Sequence, residues 1–94
     1  MNAEMIKDNL NGFIGHAALY KLAEPLEYED INDDGDFEKA TTAYVIASSV
    51  IAPFSGAETL VFPADENGKI TSWCEVGGYR GGLSHDIALS NLQS

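Results

Sequence analysis

The chain has 94 residues, with 15 Asp and Glu against 5 Lys and Arg, and a formal net charge of −10 at neutral pH. Hydrophobic types make up 45% of the residues, which supports one hydrophobic core in a chain too short for two domains. The acidic balance and the scattered cations exclude binding to nucleic acid or to anionic membranes through basic patches.

Cys74 is the single cysteine, so an intramolecular disulfide is excluded and a reducing compartment is favoured. The first residues lack the basic and apolar regions of a signal peptide. The longest charge-free run, residues 40–57, contains Pro53 and Gly56 and is too polar for a membrane helix. We therefore expect a cytoplasmic protein.

Residues 1–15 are predicted to form a separate N-terminal segment, either a short helix or a frayed end. Ile6 and Leu10 lie four residues apart, Asn2 is suited to cap the start, and Gly12 is suited to end a helix. A helix of two turns is marginal by itself, so its formation depends on a surface that these apolar side chains can contact.

Alternation of side-chain polarity predicts four antiparallel strands in the remaining domain, residues 16–94: 16–22, 43–51, 58–63 and 69–76. Pro25 should end the first strand or confine its continuation to a sheet edge. The second strand is apolar on both faces, as in a central strand that is covered on both sides. Asn67-Gly68 predicts a tight hairpin turn between the last two strands.

The last predicted element is a helix at 84–92. Ser84 is a suitable N-cap, and Asp86 falls in the first turn, where the helix dipole favours an anion. The expected fold is therefore α+β: a four-stranded antiparallel sheet, flat or curled like a small barrel, with a C-terminal helix. One helix leaves the second sheet face to be covered by the N-terminal segment or by a partner.

Residues 24–41 are predicted to be an extended acidic loop. Within it, Asp30, Asn32 and Asp34 occupy positions 1, 3 and 5 of a calcium-loop pattern. Position 12 is Thr41 instead of a carboxylate, so only weak cation binding, through Asp30, Asn32, Asp34 and Asp36, is expected. The alternative is a solvated acidic loop.

The glycine-rich stretch at 77–86 has two interpretations. Successive glycine amides before a helix can hold an anion or a small molecule, or the glycines can form a sharp connection between strand and helix. His85, Asp86 and Arg80 are the candidates for catalysis here, with His16 and Glu75 as residues that can approach them. Adjacent helical residues point about 100° apart, and no nucleophile motif is present, so we expect no enzyme activity.

The aromatic residues near strand ends are candidates for an interaction surface. We assign Phe54, Trp73, Tyr79 and Arg80 to it, with core packing as the alternative for Trp73.

The order of these segments resembles small uncharacterised proteins of tailed bacteriophages and marine metagenomes. The resemblance covers about residues 43–89 and rests on Ala-Pro-Phe-Ser-Gly at 52–56, Glu-Thr-Leu-Val-Phe-Pro-Ala-Asp-Glu-Asn-Gly at 58–68, Trp73, and Gly-Tyr-Arg-Gly-Gly-Leu at 78–83. Residues 1–15 and the acidic segment lie outside it. It implies a β-rich intracellular unit, and it implies no catalytic or binding residues.

The functional hypothesis is a non-enzymatic interaction or assembly protein, of a phage accessory type, that binds a basic protein partner or associates with itself, for example as a homodimer. No cofactor and no direct contact with nucleic acid or membrane are expected. Two alternatives stay open. One is an acidic DNA mimic that inhibits a DNA-binding protein, and the other is a weak Ca²⁺ or small-molecule site at 30–41 or 77–86.

Overall fold

The computed structural model describes residues 3–10, 15–52 and 56–92. Its elements are, in chain order, strands β1 (Ala3–Lys7), β2 (His16–Ile31), β3 (Phe37–Ala52), β4 (Gly56–Ala64) and β5 (Gly77–Tyr79), and helix α1 (His85–Ser90). The strands form one antiparallel sheet in the order β1-β2-β3-β4-β5, which is open in the part of the chain described. The expected combination of an antiparallel sheet with a C-terminal helix is confirmed, but with five strands instead of four.

The prediction of an N-terminal helix is wrong, because residues 3–7 pair with β2 as an edge strand. Ala3 lies opposite Leu22 and Met5 lies opposite Tyr20. Pairing with β2 satisfies backbone groups that a helix of two turns would leave exposed at both of its ends. Residues 3–7 are thus joined to the sheet instead of standing apart from it.

The prediction of an acidic loop at 24–41 is also wrong, because most of this segment forms the distal half of the β2–β3 hairpin. The pairing runs from Leu26 opposite Thr42 to Ile31 opposite Phe37. Leu26, Tyr28 and Thr42 are buried, while the carboxylates between them project outward. Alternation separates the acidic side chains from the core, so their repulsion is screened by solvent and the ladder is retained.

Pro25 lies where the pairing of β2 with β3 changes register, between Lys21 and Leu26. The strand continues past the proline, where its partner among the described residues is β3 alone, so the expectation of an edge continuation is confirmed. A straight strand of 16 residues would be roughly 50 Å long. The longest dimension of the molecule is 33 Å, so the hairpin bends, as bulged strands do.

The last predicted strand, 69–76, is mostly absent. The turn before it is confirmed: the side chain of Asp65 accepts hydrogen bonds from the amides of Asn67 (2.9 Å) and Lys69 (3.0 Å). After the turn, Ile70 forms an isolated bridge with Ala64. The hydroxyl of Ser72 then donates to Asp30 (2.8 Å), which draws the segment toward the hairpin and away from strand pairing.

The core occupies both faces of β3, and its centre shows this directly, since Val45 and Ile46 are both fully buried. Val45 belongs to the cluster that α1 covers through Ala88 and Leu89. Ile46 belongs to a second cluster, against which Leu10 and Ile70 pack.

Of the two expected covers for the second sheet face, the N-terminal segment and a partner, the first is found at the middle of β3, where Leu10 packs, and a partner is not needed there. The described residues contain one helix, and the segment after β1 and the turn after β4 supply the cover on the other face. Each contributes one apolar side chain, Leu10 and Ile70 respectively.

Helix α1 begins after Ser84, as predicted, and it is shorter than the range 84–92. The Ser84 hydroxyl oxygen accepts a hydrogen bond from the amide of Ile87 (3.2 Å). The helix ends at Ser90. Its buried residues, Ala88 and Leu89, fix the orientation of the helix on the sheet.

Burial of Ile46 predicts a large difference between two isoleucines of one strand. Ile46→Ala should lower the free energy of unfolding by about 2–5 kcal/mol, and Ile46→Val by about 0.5–1.5 kcal/mol. Ile51→Ala is the matched control, since Ile51 is 74% exposed, and should change it by less than about 0.5 kcal/mol. Urea unfolding measures all three. Equal costs for the two alanine variants would contradict burial of the second face.

Candidate functional site

A cleft of about 740 Å³ lies where the start of β2, the end of β3 and the turn before α1 meet. We call it the histidine cleft. Its polar lining includes His16, Tyr20, His85 and Asp86, and its apolar lining consists of Met5, Val50, Ile51 and Leu83.

Two imidazole rings are stacked in this cleft. The ring centroids of His16 and His85 are 4.5 Å apart, and the planes are 18° from parallel. Their positions follow from two elements distant in sequence, because His16 opens β2 and His85 opens α1. The ring of His16 lies so close that charge on it would oppose protonation of His85, which contributes to the lowered pKa of His85.

The hydrogen bonds of His85 define its tautomer. Its Nε2 lies 3.2 Å from the carbonyl oxygen of His16, and a carbonyl can only accept, so Nε2 carries the proton. In the neutral ring Nδ1 is then an acceptor. The Tyr20 hydroxyl, 3.0 Å away, therefore donates to Nδ1.

Asp8 extends the cluster to the turn after β1, where its carboxylate contacts Nε2 of His16. The hydrogen bond from His16, helped by the amide of Asn9, lowers the pKa of Asp8. Burial lowers the pKa of His85, and the carbonyl of His16 opposes this effect. Burial raises the pKa of Tyr20, and the charges of Asp86 and Asp8 raise it further.

The predicted catalytic grouping of His85, Asp86 and Arg80 is not assembled. The guanidinium of Arg80 instead binds Glu58 (3.1 Å) and Glu75 (2.8 Å). Of the two residues expected to approach His85, His16 does so and Glu75 is paired with Arg80.

The glycines at 77–82 allow close packing, and none of them has the positive φ that glycine makes accessible in a sharp connection. A Cβ on Gly77 would lie 3.0 Å from a side-chain carbon of Leu92, and a Cβ on Gly81 would lie 2.9 Å from the ring of Tyr79. The amide of Ser84 donates to the hydroxyl of Thr59 (3.1 Å), so this donor is already used within the protein. The described amides thus give no support to an anion site.

A second cleft, of about 370 Å³, lies at the distal end of the β2–β3 hairpin. We call it the hairpin cleft. Ile31, Phe37 and Trp73 line it and are 60%, 71% and 75% exposed. Glu29 and Asp30 also line it.

Contacts on either side hold Trp73 at this cleft. Ser72 donates to the carboxylate of Asp30, and the thiol of Cys74 donates to the carbonyl oxygen of Glu29 (3.1 Å). The ring of Trp73 also meets that of Phe62 edge to face, at a centroid distance of 5.4 Å. The Trp73 side chain is therefore exposed and at the same time held in place by its neighbours.

The proposed cation ligands do not converge. The side-chain oxygen of Asn32 accepts from the amides of Asp34 and Asp36, both at 3.0 Å, so it serves the turn. Asp30 accepts from Ser72 instead of pointing into that turn. Within residues 3–10, 15–52 and 56–92, no three His, Cys, Asp or Glu side chains are arranged to hold a metal ion. Cation binding stays a prediction without a preformed ligand set in those residues.

The other predicted interaction residues are dispersed. Tyr79 packs against the core, and Arg80 is held by its two glutamates. Phe54 lies outside the described residues. Of this group, only Trp73 lines the hairpin cleft.

Sequence reasoning missed Tyr20 and Asp8 in the histidine cleft and Ile31 and Phe37 in the hairpin cleft. No motif marks the first pair, because Tyr20 and His85 are 65 positions apart and only the fold joins them. The second pair carries a usable signal, since two large apolar residues flank the acidic turn.

Comparisons with protein-family models, with curated proteins and with solved structures give no significant match. The resemblance to phage and metagenomic proteins therefore stays a prediction. No helix in the described ranges has the length and apolar character needed to cross a membrane.

The lowered pKa of His85 predicts loss of stability in acid. An unfolded chain takes up a proton near pH 6.5, whereas the folded chain takes it up only at lower pH. Between these two values the unfolded state binds more protons, so the free energy of unfolding falls as pH decreases from 6.5. Asp8, whose pKa lies below 3.8 in the folded state, adds a further loss under stronger acid.

NMR titration of the His85 ring protons should therefore give a midpoint below that of an unfolded reference peptide. Urea unfolding between about pH 7 and pH 5 should show a smaller acid loss for His85→Asn than for the unaltered chain. A His85 midpoint at or above the peptide value would contradict the assignment of a half-buried, neutral ring.

Proposed function

We propose that the protein is a binding module that holds a basic segment of another protein in the hairpin cleft. The observation that carries this proposal is the exposure of Ile31, Phe37 and Trp73 in one cleft whose other lining includes acidic side chains. The sequence predicts a basic protein partner bound at an uncovered sheet face. We keep the basic partner and assign its binding to the hairpin cleft instead.

The apolar part of the cleft supports a specific contact. Scattered exposed hydrophobic residues are ordinary on protein surfaces, but three large ones in one cleft are unusual. Trp and Phe are also enriched at protein interfaces, where a few such anchors carry most of the binding energy. A partner would therefore insert an apolar side chain here.

The charge around the cleft favours a basic partner. Residues 24–38 carry eight carboxylates and no Lys or Arg. Lys39, just beyond them, lies 3.4 Å from Glu27 in an exposed ion pair, which offsets little of this charge. The remaining field accelerates association with a cationic surface and disfavours acidic ones.

The surface is largely preformed. The strand ladder fixes the positions of Ile31 and Phe37, and contacts of Ser72 and Cys74 with the hairpin hold the segment that contains Trp73. Binding to a preformed surface avoids much of the entropy cost of ordering a loop.

An acidic DNA mimic is the second candidate, because the ladder holds carboxylates such as Glu27, Glu29 and Glu38 in a fixed arrangement. The two candidates differ in what they require. A mimic acts through charge and needs no apolar anchor, whereas the proposed module depends on Phe37 and Trp73.

The proposal is tested with short peptides selected for binding from a random displayed library. The selected peptides should combine Lys or Arg with a large apolar residue. Their affinity should fall about tenfold or more for Phe37→Ser and for Trp73→Ser, since an anchor contact contributes about 2 kcal/mol. Ile87→Ser is the matched control, an apolar residue 43% exposed on α1, and should leave affinity unchanged.

Three results would contradict the module. Peptides that bind both serine variants as tightly as the unaltered chain would show that the cleft is not the site. Selected peptides without basic residues would remove the charge argument. Binding that is abolished by salt but insensitive to Phe37 and Trp73 would favour the DNA mimic instead.

A further inference from the structure

We propose that the histidine cleft is a second binding site, which takes a small hydrophobic amine: a molecule with an apolar body and a protonated amino group. The site lies at the opposite end of the β2–β3 hairpin from the hairpin cleft, so the inference does not rest on the proposed protein partner.

The size and apolar lining of the cleft suit a small organic molecule. Its volume of about 740 Å³ falls within the range of about 300–1,000 Å³ that is typical of ligand pockets. Met5, Ile51 and Leu83, which line it, are among the exposed large hydrophobic residues of the described chain. An apolar ligand would remove part of this surface from water, which is the main source of affinity in such pockets.

The charge of the cleft selects a cation. None of its described lining residues is Lys or Arg, and Asp86 contributes a carboxylate. Asp86 and Asp8 also raise the pKa of the Tyr20 hydroxyl, so carboxylate charge acts on the Tyr20 side of the cleft as well. A carboxylate or phosphate ligand would be repelled by the same groups.

The hydrogen bonds of the cleft present acceptors. Nδ1 of His85 takes the proton of the Tyr20 hydroxyl, so the Tyr20 oxygen retains lone pairs that can accept from an ammonium group. Both nitrogens of His85 are engaged within the protein, which makes His85 a positioning residue for Tyr20. Asp86, at the first turn of α1, supplies the second acceptor.

The test uses three probes with the same aromatic ring and different charges: phenethylamine, 2-phenylethanol and 3-phenylpropanoate. Amide chemical shifts and calorimetry at pH 7 should show binding of the amine, with shifts at residues 49–51 and 83–86. The alcohol should bind more weakly, and the carboxylate about tenfold or more below the amine, because attraction by Asp86 becomes repulsion.

Two matched variants distinguish the effect of the Asp86 charge on amine affinity from the effect of the net charge of the protein. Asp86→Asn should weaken the amine about threefold, as expected for a partly exposed ion pair, and should leave the alcohol unchanged. Asp36→Asn removes the same charge at the exposed hairpin turn and should leave amine affinity unchanged. Tyr20→Phe should also weaken the amine if the hydroxyl oxygen accepts from it.

The proposal is overturned if the three probes bind equally, if the two Asp variants have equal effects, or if millimolar amine causes no shifts at 49–51 and 83–86. Shifts confined to residues 29–31, 37 and 72–74 would place the amine in the hairpin cleft and would also overturn it. The protein-partner proposal is tested by different variants, because it requires that substitution of Phe37 or Trp73 weaken peptide binding.

Discussion

The ladder between β2 and β3 determines both surfaces, because each candidate site is formed at one of its ends. At one end His16 pairs with Ser49 beside α1, and at the other Ile31 pairs with Phe37 beside the acidic turn. Between them the buried centre of β3 holds the two ends in a fixed relation. If this register changed by one residue, the apolar side chains of β2 would exchange faces, and both clefts would be lost together.

The buried middle of β3 also explains why function must be sought at the ends. Its two faces are covered within one chain, by α1 on one side and by Leu10 and Ile70 on the other. A small domain usually has little apolar surface to spare, so the large hydrophobic side chains that stay exposed carry information. Several of them line the histidine cleft or the hairpin cleft.

Local signals were sufficient for the turn at Asp65, the Ser84 cap and the apolar strand at 43–51. Each of these features depends on residues that are close in sequence, such as Ser84 and Ile87. Charge repulsion alone predicts a loop for the acidic segment, because the cross-strand pairing that opposes the repulsion is not local in sequence. The residues opposite Leu26 and Tyr28 lie beyond the turn, so residues close in sequence do not reveal this pairing.

Non-local contacts account for the rest. The second cover of β3 requires Leu10 and Ile70 to pack against the same cluster, although they are 60 positions apart in the sequence. The stack of His16 on His85 depends on the packing of α1 against β3, β4 and β5, which brings His85 beside the start of β2. Neither contact follows from periodicity, since periodicity indicates which face of an element is apolar but not which element covers it.

The register break at Pro25 has a consequence for how this molecule can diverge. In a regular ladder, an inserted residue inverts every side chain beyond it. Here β2 already accommodates residues between Lys21 and Leu26 that do not pair with β3, so a length change at this point can be absorbed locally. The distal hairpin can therefore lengthen, shorten or be exchanged between descendants while the half that carries His16 keeps its alignment.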